Sequence, residues 1–154
     1  MNPPIRTKDH QIVLWKRLLD GTIDVLGSDH APHTLTEKQK PYPESPSGLT
    51  GVQTMLPIML DHVNNKKLTF QRLVELLSIN PCKIFNIKKR GEIKEGYYAD
   101  LTVIDLNLNF KITNDWIASR CGWTPFNNKT VKGFPVGTIA VSYTHLTLPT
   151  KRIV

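Results

Sequence analysis

Residues 20–33 read Asp-Gly-Thr-Ile-Asp-Val-Leu-Gly-Ser-Asp-His-Ala-Pro-His. Ile23, Val25 and Leu26 make a short apolar run, and a segment with one acid, two histidines and a proline follows at once. The run Ile23–Leu26 reads as a strand and the segment after it as the rim of a site. Asp29 and His33 lie four residues apart on that loop, where their side chains can converge on a ligand. Upstream, Thr7 is placed to cap a helix through Leu19, with Ile12, Trp15 and Leu19 at i, i+3, i+7. Gly21 ends it. A helix, a short turn and an apolar strand with a polar loop at its C-terminal end is an α/β arrangement.

Downstream, residues 36–50 form a polar stretch with three prolines. A long loop directly after a site motif is expected to be a lid or a substrate wall. Thr50-Gly51-Val52-Gln53 has the form of a capping box. Val52, Met55, Leu56, Met59, Leu60 and Val63 follow at helical spacing as a core-facing stripe. Pro57 is expected to kink that helix. Thr69 should cap a second helix with Phe70, Leu73, Val74 and Leu77 inward, and Asn80-Pro81 should start a third. From Ile87 the composition turns to β: Glu92–Lys94, Leu101–Asp105 and Gly137–Ile139 read as strands, and Asn114–Ile117 as a loop or helical turn.

The chain has 154 residues, 40% hydrophobic and 21% charged, a globular composition for one domain or parts of two. No apolar run is long enough to span a membrane. Cys82 and Cys121 are the only cysteines, which suits free thiols in a reducing cytoplasm better than a disulfide framework. The net charge is +7, but the basic residues are scattered apart from Lys88-Lys89-Arg90. That run lacks interleaved aromatics, so it reads as a solvated turn and argues against a nucleic-acid partner. His10 and His62 fall on helices and read as surface residues. Trp15, Trp116 and Trp123 read as core or interface anchors.

Three stretches together resemble the dihydroorotases, cyclic amidohydrolases of the amidohydrolase superfamily. Asn2-Pro3-Pro4-Ile5-Arg6-Thr7 is similar to their Asn-Pro-Pro segment, and residues 20–33 to their last barrel strand and its loop. Gly96-Tyr97-Tyr98-Ala99-Asp100-Leu101-Thr102-Val103-Ile104-Asp105 resembles a strand shared across amidohydrolases. The resemblance runs to about residue 139. It implies an α/β protein built on a metal-dependent (β/α)8 TIM barrel, with a small β-sandwich domain beside it. Residues 1–86 would be the C-terminal fragment of the barrel, about a third of its ~250 residues. Residues 87–139 would be the C-terminal part of the sandwich. Residues 140–154 are set apart, because Val141–Thr150 resembles one reading frame of a transposon-type sequencing adapter.

The resemblance also implies roles. Asp29 matches the acid at the end of the eighth strand, which stands beside the metal and moves the catalytic proton. His33 matches the residue that binds the substrate carboxylate, and Asn2 the one that hydrogen-bonds the substrate ring. Ser47 and Gly48 match a pair that touches substrate through the backbone. His30 reads equally as a support behind the metal or as a packing residue. The implied reaction is the reversible, zinc-dependent hydrolysis of dihydroorotate to N-carbamoyl-aspartate in pyrimidine synthesis, with one or two Zn2+ ions. The family's metal centre also needs an His-x-His pair, which is absent from this sequence. The chain by itself is therefore expected to be inactive. A homo-oligomer or a complex with aspartate carbamoyltransferase is the implied assembly. The rival readings are an allantoinase or hydantoinase, and a non-catalytic subunit that scaffolds aspartate carbamoyltransferase. Against the first stand His33 and the Asn-Pro-Pro segment; against the second stands the intact Asp-His-Ala-Pro-His run.

Overall fold

A computed structural model describes residue 4, residues 7–140 and the backbone of residues 145–147. Among the described residues five α-helices come first: α1 (Lys8–Leu19), α2 (Leu35–Lys38), α3 (Met55–Asn64), α4 (Phe70–Val74) and α5 (Asn80–Ile84). An antiparallel sheet follows, made of β1 (Leu101–Lys111), β2 (Thr130–Ala140) and β3 (His145–Thr147), with β2 in the centre. Among the described residues no helix is long and apolar enough to cross a membrane.

α1 begins after Thr7, as its sequence suggests, but its buried face is not the expected one. Leu18 is buried and Trp15 packs on the core, while Ile12 and Leu19 are 66% and 50% exposed. The helix meets α3 through the edge of Trp15 on His62, with ring centroids 4.8 Å apart. Ile12 and Leu19 lie off that contact line. His10 is exposed and bonds Thr7 Oγ1 at 3.0 Å. His62 is half-buried rather than a surface residue, because the Trp15 ring covers it.

α3 starts at Met55, later than the capping box implies. Thr50 is buried and its hydroxyl donates to the Trp123 carbonyl at 2.9 Å. Gln53 donates to the Trp116 carbonyl and accepts from the Ala118 N–H, both at 2.8 Å. Both side chains thus bond a distant segment instead of capping the helix. Val52, in the turn before α3, is 60% exposed, whereas Met59 and Leu60 are buried. Pro57 falls in the first turn, where no N–H is required, so it needs no kink.

Thr69 caps α4 by accepting the Arg72 N–H. From Phe70 to Ile84 the chain stays helical, with a π-turn at Glu75–Ile79 between α4 and α5. Pro81 explains the widening, since its ring would strike the carbonyl four residues back. The Asn80 N–H bonds the Glu75 carbonyl. In that pattern the Leu76 carbonyl faces Pro81, which has no N–H to give. It accepts the Leu26 N–H instead, at 3.2 Å.

That bond matters because Ile23–Leu26 forms no ladder among the described residues. Part of its backbone is bonded by other groups instead. Arg72 donates to the carbonyls of Leu18 and Ile23, and Asn80 donates to the carbonyl of Asp24. Ile23 and Leu26 pack against the core of Leu18, Met59, Leu60, Leu68, Leu73 and Leu76. The expected strand at Glu92–Lys94 is likewise irregular, and Ile93 is 91% exposed. Lys88 and Lys89 are exposed, while Arg90 pairs with Asp100 at 2.6 Å.

β1 and β2 pair from Leu101–Ile139 to Lys111–Thr130, with shifts after Val103 and Asp105. Phe110, Trp116 and Phe134 meet at the base of this sheet with centroids 4.1 to 5.6 Å apart. The short helical turn Asn114–Trp116 lies where a loop or turn was expected. β3, from the 140–154 stretch, pairs with Thr138–Ala140 on the open edge of β2. The sheet docks on α3: Asn64 Nδ2 donates to the carbonyls of Leu106 and Lys132, and Asp61 accepts the Lys132 N–H.

Candidate active site

Ser28 to Ala31 lies against residues 48–52, and two glycines make the approach possible. A Cβ on Gly51 would sit 2.4 Å from the Ser28 carbonyl oxygen. A Cβ on Gly48 would sit 2.4 Å from Ala31 Cβ, and Gly48 also has φ +121°. Ala31 N–H donates to the Leu49 carbonyl at 2.9 Å, and His30 and Leu49 form a lone parallel bridge. His30 is half-buried, and its Nδ1 accepts the N–H groups of Gly51 at 3.2 Å and Val52 at 3.4 Å. Asp29 is exposed and takes a left-handed backbone, φ +42°. Asp tolerates that region better than most residues.

His33 leaves this loop directly before α2. Thr34 caps the helix, and its backbone N–H donates to Glu37 Oε2 at 2.7 Å. That bond is the largest cause holding the Glu37 carboxyl below its ordinary range. The loop is tied a second time through the backbone of His33, whose carbonyl accepts the Trp123 Nε1–H at 2.6 Å. Residues 36–50 fold back on themselves as Lys38 Nζ donates to the Pro46 carbonyl and Ser45 Oγ to the Lys38 carbonyl. A pocket of about 260 Å³ opens beside His30, lined also by Thr50, Gln53, Ile117 and Ser119.

Of the candidate residues, Asp29, His33 and Gly48 belong to one cluster of interlocked loops. Ser47 is exposed beside Gly48. Asn2 lies outside the described residues. Thr50 and Gln53 bond the 114–124 segment, and Trp123 of that segment bonds the His33 carbonyl. Trp123 shows in the sequence as an anchor, but nothing in the residue order pairs it with His33. Among the described residues no group of three or more His, Cys, Asp or Glu could hold a metal ion. Asp29 supplies a lone carboxylate, so the residues present do not fit a metal centre by themselves.

Residues 6–139 match the amidohydrolase family. A dihydroorotase of Carboxydothermus hydrogenoformans is 39% identical over 140 residues, 90% of this chain and 33% of that protein. A dihydroorotase of Staphylococcus aureus is 42% identical over 90% of this chain and 33% of its own length. Among solved structures, the L-hydantoinase (dihydropyrimidinase) of Arthrobacter aurescens is 36% identical, with a TM-score of 0.85 over 90% of this chain and 32% of that one. A D-hydantoinase from Thermus sp., 24% identical, has a TM-score of 0.85 over 97% of this chain and 34% of that one, a likeness of fold. The chain spans about one third of the length of these relatives.

Proposed function

The chain belongs to the amidohydrolase family, and on that premise we propose that it is part of a dihydroorotase. The reaction opens a cyclic amide: water adds to the ring carbonyl, the carbon–nitrogen bond breaks, and the nitrogen leaves with a proton. Asp29 takes the proton from the attacking water and hands it to the departing nitrogen. His33 donates a hydrogen bond to the substrate carboxylate, the backbone of Ser47 and Gly48 lines the substrate, and Asn2 bonds its ring. Zinc, as one or two ions, would rest on residues beyond this chain, with Asp29 the single ligand contributed here. A second copy of the protein or aspartate carbamoyltransferase is the assembly partner in this proposal. A reducing cytoplasm suits its two free thiols, Cys82 and Cys121. Residues 1–86 belong to the barrel and 87–139 to the sandwich.

The observation that carries this reading is the identity of 39% and 42% to dihydroorotases over 90% of the chain. The test is dihydroorotate hydrolysis by the full-length protein that contains this chain. Asp29→Asn is expected to lower kcat by about a hundred- to ten-thousandfold, the usual worth of a positioned acid or base. A second reading, a hydantoinase, is favoured by the 36% identical L-hydantoinase. Turnover of hydantoin without turnover of dihydroorotate would establish it. Turnover of neither would leave the scaffolding subunit.

A further inference from the structure

Asp29 holds a left-handed backbone, φ +42°, which Asp tolerates better than most L-residues, and it does so with help from its surroundings. The help comes from both flanks. On one side the Ser28 carbonyl lies so close to Gly51 that a Cβ there would stand 2.4 Å from it. On the other, His30 Nδ1 accepts from Gly51 and Val52, and Ala31 N–H donates to the Leu49 carbonyl at 2.9 Å. Ser28 packs closely on Gly51, His30 and Ala31 are hydrogen-bonded to residues 49–52, and Asp29 lies between these contacts. A backbone N–H can only donate, so Nδ1 must carry its lone pair. In this arrangement Nδ1 is the accepting nitrogen, and Nε2 is the one left to carry a proton.

We propose that His30 is a positioning residue for Asp29: by accepting the backbone N–H groups at 51 and 52 it fixes the left-handed turn that aims the Asp29 carboxylate. The activity arm of the test rests on the dihydroorotase reading; the spectroscopic arm does not. In the full-length protein, His30→Asn places an oxygen acceptor where Nδ1 stands. His30→Gln reaches toward the Nε2 position and leaves the two N–H groups unbonded. The Gln variant is expected to lose about a hundredfold in kcat, the scale of a carboxylate misplaced by about 1 Å, with KM little changed. The Asn variant is expected to recover most of that loss. Wild-type kcat in the Gln variant, equal damage in both variants, or a loss confined to KM would each overturn the proposal. The nitrogen NMR spectrum of histidine-labelled protein should show His30 with a bare Nδ1 and a protonated Nε2. A proton on Nδ1 overturns the proposal whatever the substrate. If the wild type leaves dihydroorotate untouched, the functional reading fails, and the same pair of variants is read on hydantoin.

Discussion

Leu101–Lys111 and Ile23–Leu26 are both apolar runs rich in strand-forming residues, yet only the first is a strand. β1 finds β2 within the same chain and builds a ladder from Leu101–Ile139 to Lys111–Thr130. Ile23–Leu26 has no ladder among the described residues. It is held by Arg72, by Asn80 and by the Leu76 carbonyl that Pro81 leaves open. The contrast separates two properties of a β segment. Composition sets its preference for a pleated surface, while a partner edge decides whether that preference becomes a sheet. The candidate site sits on the segment held by side chains, so its geometry depends on single residues in a way the sheet's does not.

The largest effect is expected where the sheet docks on α3. Gly133 has φ +96°, and a Cβ there would stand 2.9 Å from Leu60 Cβ and Asn64 Nδ2. Gly133→Ala combines backbone strain with overpacking and should cost about 3 kcal/mol, measured by urea unfolding. An unchanged midpoint would mean that the sheet does not dock on α3 in this way. Arg72→Met comes next. It keeps most of the stem but strips the donors from the Leu18 and Ile23 carbonyls, at about 2 kcal/mol for groups left short of partners. Amide exchange should quicken at residues 23–26 and hold steady in β1 and β2. Equal quickening in both would erase the distinction between a segment held by side chains and one held by a ladder. Arg72→Lys should not restore protection, because a single ammonium cannot reproduce the fork that reaches both carbonyls.

How far the sequence shows this in advance depends on the distance of the partner. Thr69 as a cap, the turn at Asn114–Trp116 and the strand at Leu101 are legible because their causes lie within a few residues. Thr50 and Gln53 match a local capping pattern, but their side chains bond Trp123, Trp116 and Ala118, more than sixty residues on. Ile12 and Leu19 obey helical spacing but miss the line on which α1 meets α3. The candidate site divides in the same way. The loop of Asp29 and His33 stands out by composition alone. The glycines that let residues 48–52 press on it, and the Trp123 indole on the His33 carbonyl, are set only by the folded chain.

A smaller effect sharpens the comparison from the helical side. Pro81→Ala would give the Leu76 carbonyl an N–H from its own helix, in competition with Leu26. The helix itself should gain, and the segment before the site should loosen by about 1 kcal/mol, the worth of one hydrogen bond. Faster exchange of the Leu26 amide, with no loss of overall stability, is the expected signature. A Leu26 amide as protected as before would show that packing of its side chain, rather than the open carbonyl, holds the segment in place.

The smallest effect is the most specific in its pH range. His62 Nδ1 is buried without a hydrogen-bond partner. Burial is the largest cause that holds its pKa below the ordinary 6.5; Lys67 and Lys129 act in the same direction and Asp61 against it. Above pH 6.5 the ring is neutral whether the chain is folded or not, so the full stability is present. As pH falls below that value the unfolded chain binds the proton first, and stability drains away until the folded pKa is passed. Asp20 and Glu37, held low by hydrogen bonds from Thr22 and Thr34, lose their contributions only in the more acidic carboxylate range. Urea midpoints taken between about pH 7.5 and 5.5 therefore leave these two carboxylates out of the comparison, and a His62 variant singles out this ring. His62→Phe keeps an aromatic edge for Trp15 and removes the titrating nitrogen, so its midpoint should fall less than that of the wild type over this range. Equal falls would mean that the Trp15 contact opens readily enough to let water reach Nδ1, and that α1 is held by Leu18 on the shared core rather than by this ring pair.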